Sequence, residues 1–153
     1  MRPSALSVAD LEGRLSAEFP GSFNRESGLA ILEAWHGGCR VRLGYSSNTL
    51  RPGGTISGVT MMMLADLTMY VAVLASIGWK PLAVTTSLNI NFLRKAPPAA
   101  LIAQCRLIKL GRRLAVGDVS IQSEEGEDLV AHATSTYSIP PQLWLYNTII
   151  IIF

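Results

Sequence analysis

The chain has 153 residues, 49% of them apolar and 16% charged, which suffices for one domain with a full hydrophobic core and excludes a disordered chain. A formal net charge of +2 is too small for nucleic acid to be the main partner. Cys39 and Cys105 stand far apart, form no C-x-x-C pair and have no histidine at ligand spacing, which argues against a disulfide framework or a zinc site.

Residues 1–15 lack the continuous apolar stretch of a signal peptide, so a cytoplasmic chain is expected. Ser7 followed by Asp10 forms a capping-box-like start and predicts a short helix over about 8–18, ending before Phe19-Pro20-Gly21. Strands over 29–35 and 39–45 flank the turn His36-Gly37-Gly38. His36 and His132 are isolated from each other and read as structural. A loop rich in Ser, Asn, Pro and Gly follows from Ser46 to Gly54.

The run from Ser57 to Ile77 is too long and too continuously apolar for a strand. It predicts a helix over about 57–77 that is apolar all round and therefore buried, with Gly78 as its stop. Its length approaches that of a membrane span. Asp66 lies within it, however, at about 2.5–3.5 kcal/mol on the insertion scale, and strands of soluble type follow, so no membrane span is expected.

After Pro81 the period changes from helical to alternating. Leu88, Ile90 and Phe92 are expected on one face, and Thr85, Ser87, Asn89 and Asn91 on the other. Further strands are predicted over 101–110, 114–122 and 129–139, joined by hairpin turns at Gly111-Arg112-Arg113 and at the acidic run 124–128. Together these elements make an α+β class, with a sheet wrapped on one central helix in a single domain over 1–141. The apolar tail 142–153 is too short to span a bilayer and has high strand propensity. It reads as a strand packed on a neighbouring surface or as an incidental segment.

Asp66 is the one charge in the apolar helix, where burying it alone is costly. It either pairs with an arginine, or sits on a narrow exposed stripe, or serves as a base or nucleophile in a site of low dielectric. Acyl transfer also requires donors for a developing oxyanion. The Gly58 amide, at the positive end of the helix with no side chain to obstruct it, suits that task. Eight residues of ideal helix separate Gly58 from Asp66 by about 12 Å. One bound acyl group would not touch both groups of the same chain, and a dimer that brings a partner's helix alongside would solve this.

The stretch Arg51-Pro52-Gly53-Gly54-Thr55-Ile56-Ser57-Gly58, continuing to Leu64-Ala65-Asp66, resembles the signature of hotdog-fold thioesterases of the phenylacetyl-CoA (PaaI-like) and 4-hydroxybenzoyl-CoA type. Segments 89–94, 111–115 and 130–134 resemble later segments of the same family in the same order, so the likeness covers about residues 28–140. The resemblance implies about six antiparallel strands on the helix, a homodimer or homotetramer, and an active site shared between chains. It implies Asp66 as nucleophile or general base, Gly58 as oxyanion donor and Thr85 near the attacking water. Ser57, a further catalytic candidate that can still donate a hydrogen bond but cannot be a cation, stands where the family has a histidine; Val59 stands where it has a second glycine, and Arg51 where relatives often have Asn or Gln facing the reacting centre.

The substrate-side candidates are Arg51, Asn89, Arg94, Lys95, Arg112 and Arg113. The last four either sit in ordinary solvated turns or hold the phosphates of coenzyme A. The expected activity is hydrolysis of an acyl-CoA thioester to a carboxylic acid and free coenzyme A, without metal or redox cofactor. The alternative, favoured by the missing histidine, is a non-catalytic acyl-CoA-binding module.

Overall fold

An almost continuous apolar run in mid-chain and strands of period two on both sides of it leave one economical packing: the helix lies in the concave face of the sheet. The computed structural model describes residues 1–141, 143–146 and 149–152, and it has this architecture. After the N-terminal helix α1 (Val8–Glu18) come β1 (Leu29–Trp35), β2 (Gly38–Leu43), a 3-10 turn (Ser47–Thr49) and the central helix α2 (Gly58–Ile77). Strands β3 (Val84–Phe92), β4 (Leu101–Leu110), β5 (Leu114–Ser123) and β6 (Leu129–Ser138) follow. All six pair antiparallel in the order β1-β2-β4-β5-β6-β3, so β1 and β3 are the edges. This is the hotdog arrangement expected from the sequence. In the tail, β7 (Leu143–Tyr146) pairs with β8 (Ile149–Ile152); what its side chains pack against lies outside the described residues.

Each element carries its own cause. Ser7 caps α1 by accepting from the Asp10 N–H at 3.0 Å, and Leu11 and Leu15 turn its apolar stripe inward. In β5, Ala115, Val119 and Ile121 face the helix, while Asp118, Ser120 and Gln122 alternate outward. On that outer face His132 Nε2 lies 2.9 Å from Asp118 Oδ1, on the side of the sheet away from α2. Cys39 and Cys105 oppose each other across β2 and β4 as buried free thiols. Burial pushes both thiols up, Cys105 to about 12, so they remain protonated core residues.

Leu64, Met69, Val71, Val73 and Leu74 are fully buried beneath the sheet. Burying each such side chain contributes about 1.5–3 kcal/mol. α2 is long and apolar enough to cross a membrane, but it packs here as the core helix. Gly78 ends it at φ +88°, a conformation that side-chain-bearing residues rarely adopt, and its N–H bonds the Leu74 carbonyl at 2.9 Å.

Two expectations need correction. α2 is not buried all round: Val59, Met62 and Met63 are exposed by 78%, 41% and 37%, and with half-buried Asp66 they form one stripe at helical spacing. Strand β3 does not alternate throughout either. Thr85 opposes Tyr137 and Ser87 opposes Thr136, which makes Thr86 the extra residue of a β-bulge. The bulge turns Thr85 onto the helix-facing side with Leu88 and Ile90, while Asn89 and Asn91 stay outside.

Close approach matters at the β1–β2 corner. A Cβ added to Gly38 would lie 2.5 Å from the Cys105 carbonyl oxygen and 2.6 Å from the Trp35 ring. Gly38→Ala is therefore expected to destabilise the fold by about 1–3 kcal/mol. The change should appear as a lower urea midpoint with an unchanged slope.

Candidate active site

Asp66 lies in the third turn of α2, where the exposed stripe meets the inner face of the sheet. Two hydroxyls converge on its Oδ1. Thr85 Oγ1, from the bulged start of β3, donates at 2.6 Å, and the Tyr137 hydroxyl, from the end of β6, donates at 2.9 Å. The Tyr137 hydroxyl also lies 3.2 Å from the Asp66 main-chain carbonyl. Oδ2 has no hydrogen-bond partner among the described residues, and no basic side chain among them forms an ion pair with Asp66. The arginine-paired alternative is thus not what the structure contains. Two neutral donors hold the carboxylate and leave its charge uncancelled.

The surroundings are aromatic. Tyr137 stacks on Tyr70 with ring centroids 6.0 Å apart and planes 22° apart, and Phe19 meets Tyr70 edge-on at 6.3 Å. The Tyr70 hydroxyl donates to the Pro81 carbonyl at 2.9 Å. Burial, and after it the neighbouring Asp66 charge, pushes the Tyr137 phenol far above its ordinary range. Burial and the Glu18 carboxylate push Tyr70 up as well. Both phenols therefore stay protonated. Beside them opens a cleft of about 620 Å³ walled mainly by Phe19, Tyr70, Trp79, Leu82 and Val84, with Asp66, Thr85 and Tyr137 in its lining. It suits an apolar group attached to a carbon that Asp66 or its water could reach.

Gly58 lies in a second cleft, of about 410 Å³, with Arg51, Phe92, Arg94 and Lys95 among its lining. Ser57 is the N-cap of α2: its Oγ accepts from the Thr60 N–H at 3.2 Å and lies 2.9 Å from the Thr60 hydroxyl. The Gly58 and Val59 N–H groups have no acceptor among the described residues. The Phe92 ring covers the Gly58 Cα, where an added Cβ would come within 3.1 Å of it.

The predicted site residues thus fall into separate groups. Asp66 and Thr85 meet directly, and Gly58 shares its cleft with Arg51, Arg94 and Lys95, whereas Ser57 sits at the cap. Arg112 and Arg113 lie at the β4–β5 turn, at the Val84 end of the sheet, since Leu114 and Val84 both pair with Ser138. Arg94 and Lys95 follow the opposite end of β3, about 26 Å away along the strand. Asn89 is on the outer face and lines neither cleft. Tyr137 was not among the sequence candidates. Its signal was the alternation of Ala131, Ala133 and Ser135 in β6, which continues inward to Tyr137.

Among the described residues, no group of three or more His, Cys, Asp or Glu side chains could hold a metal ion. No curated protein sequence matches the chain. The profile of the Thioesterase superfamily matches residues 53–130. A solved structure from a Silicibacter species, provisionally assigned as a thioesterase, is 42% identical. The match covers 90% of this chain and 94% of that one at a TM-score of 0.81. A point mutant of the phenylacetic acid degradation protein PaaI from Thermus thermophilus is 26% identical over 78% of this chain and 98% of that one, at a TM-score of 0.67. Zebra fish thioesterase superfamily member 2 shares the fold at 22% identity, 88% and 99% coverage and a TM-score of 0.78. The chain belongs to the thioesterase superfamily.

Proposed function

We propose that the protein hydrolyses acyl-CoA thioesters, with Asp66 as general base or nucleophile. The observation that carries this reading is the Asp66 carboxylate, held at Oδ1 by two neutral hydroxyls and bordering an apolar cleft of about 620 Å³. In the water route, Oδ2 takes a proton as the water oxygen bonds the thioester carbon. The tetrahedral oxyanion then collapses, the C–S bond breaks, and the thiolate leaves with the electron pair. The reaction uses water and groups of the chain, without metal or redox cofactor.

The oxyanion donor in this reading is the Gly58 N–H at the positive end of a helix of 20 residues. It belongs to a different cleft from Asp66 in the same chain, so the reaction is placed between two chains. Edge strand β3 supports such a homodimer, which could pair further into a tetramer. Val84, Phe92 and Leu93 are exposed by 56%, 50% and 51% on or beside it, next to the Val59-Met62-Met63 stripe. Antiparallel pairing of two β3 strands about Leu88 would set the Thr85 end of one against the Phe92 end of the other. That arrangement aligns Asp66 with Gly58 of the partner subunit. It also gathers Arg112 and Arg113 at the same end as the partner subunit's Arg94 and Lys95, around the phosphates of coenzyme A. A cytoplasmic location is compatible with such a substrate.

The assignment is tested by substitution. Asp66→Asn should reduce free-thiol release from acyl-CoA by at least about a hundred-fold while the protein stays folded; retention of most activity would remove Asp66 from the reaction. Ser57→Ala should cost about 1 kcal/mol of stability through the lost cap and leave kcat nearly unchanged. A large fall in kcat at unchanged stability would return Ser57 to the chemistry. Arg94→Ala with Lys95→Ala should raise KM for acyl-CoA about ten-fold, and much less for an acyl-pantetheine. The same comparison with Arg112→Ala and Arg113→Ala tests the other pair, and equal loss on both substrates removes the phosphate role. The second reading, a binding module, rests on Ser57 being a cap in place of the family's histidine. It predicts thermal stabilisation by acyl-CoA with no thiol release.

A further inference from the structure

The reading of Asp66 as the reacting carboxylate gives the proton to Oδ2 and leaves open what keeps that oxygen turned toward the water. A carboxylate on a helix surface rotates about its terminal torsion, whose energy wells are broad, so its two oxygens exchange unless something holds them. Here the hold is specific. The Thr85 and Tyr137 hydroxyls donate to the same oxygen, Oδ1, at 2.6 and 2.9 Å.

We propose that Tyr137 is a positioning residue for thioester hydrolysis: with Thr85 it fixes Asp66 so that Oδ1 is occupied and Oδ2 is the oxygen that acts on water. This rests on the thioesterase reading of Asp66. Several features suit Tyr137 to the role. It is 4% exposed and anchored on strand β6, and its ring is stacked on Tyr70. A group on a strand with a locked side chain holds geometry better than one on a loop. Its hydroxyl also lies 3.2 Å from the Asp66 carbonyl, so one phenol is tied to both the main chain and the side chain of the same residue. Burial keeps that phenol protonated, so it acts only as a donor toward Asp66 throughout the working pH range. Thr85 alone would leave the carboxylate free to pivot about a single contact.

The titratable groups that share the cleft of about 620 Å³ with Asp66 are Glu18 from the end of α1, Tyr70 from α2 and Tyr137 from β6; β3 contributes only the neutral Thr85 hydroxyl. Glu18 is thus the other carboxylate to follow in a pH profile, and Glu18→Gln serves as its control.

The test is Tyr137→Phe, which keeps the ring and its stacking and removes the donor. In steady-state thiol release from an acyl-CoA that the wild type turns over, kcat should fall about ten-fold with KM within about two-fold. The acidic limb of the kcat/KM profile should move to higher pH, because a carboxylate that loses a donor takes up its proton more readily. It should move in the Glu18→Gln background as well. A purely structural role for Tyr137 would change the melting temperature without moving that limb. Wild-type kcat together with an unmoved acidic limb overturns the proposal. If Tyr137→Phe does not stay folded at the assay temperature, 3-fluorotyrosine at position 137 keeps the shape and makes the donor more acidic. The acidic limb should then move to lower pH, and an unmoved limb overturns the proposal. Asp66→Asn assayed in parallel separates the two levels. Activity surviving there removes the reading of Asp66 itself, whereas its loss beside a normal Tyr137→Phe overturns only the role of Tyr137.

Discussion

The structure depends on reconciling two demands on α2. Most of the helix must be dry, since it supplies much of the core that the sheet closes over. Its third turn nevertheless carries a carboxylate, which loses hydration there and needs donors in return. The chain meets both demands with neutral hydroxyls. An arginine would also satisfy Asp66, but it would bring a countercharge beside the carboxylate. Thr85 and Tyr137 supply hydrogen bonds without that cancellation. The exposed stripe of Val59, Met62 and Met63 continues the same compromise, keeping the Asp66 side of the helix free of sheet.

The two donors come from adjacent antiparallel strands, and their meeting depends on one irregularity. In a regular β3, Thr85 would share the outer face with Ser87 and Asn89. The extra residue Thr86 shifts the register by one and brings Thr85 opposite Tyr137, on the inner side. The bulge lies at the start of an edge strand, where a break in the ladder costs least. A local defect in pairing thus becomes the device that aims a hydroxyl at the carboxylate.

Most of the architecture was legible because it follows from periods and punctuation. The apolar run of α2, its stop at Gly78, and the strands either side of Gly111-Arg112-Arg113 all came from hydrophobic spacing and turn residues. The site was legible only in part. Asp66 was visible as a charge out of place. Thr85 was assigned to the wrong face because period two cannot anticipate an inserted residue. Tyr137 was overlooked because an inward tyrosine on a strand of small residues looks like core until its hydroxyl is located in three dimensions. Arg94 and Lys95 were named together with Arg112 and Arg113 because sequence cannot show which strand ends are level: Leu114 and Val84 both pair with Ser138, whereas Arg94 follows the other end of β3.

The start of α2 shows how a cap residue can leave backbone amides open. A helix leaves its first N–H groups without intrahelical partners, and a small hydroxyl at the cap satisfies one of them. Ser57 accepts from Thr60, two residues beyond Gly58, and the Ser57 carbonyl accepts from the Met61 N–H. Gly58 and Val59 are thereby left with their amides directed out of the helix end and no side chain on the first of them. A histidine at position 57 could add a cation or a proton carrier to that end of the helix. Serine cannot supply a cation, and the groups that offer positive potential there are the main-chain amides, the helix dipole and the nearby Arg51, Arg94 and Lys95. Ser57 therefore caps the helix start without bringing a charge to this cleft.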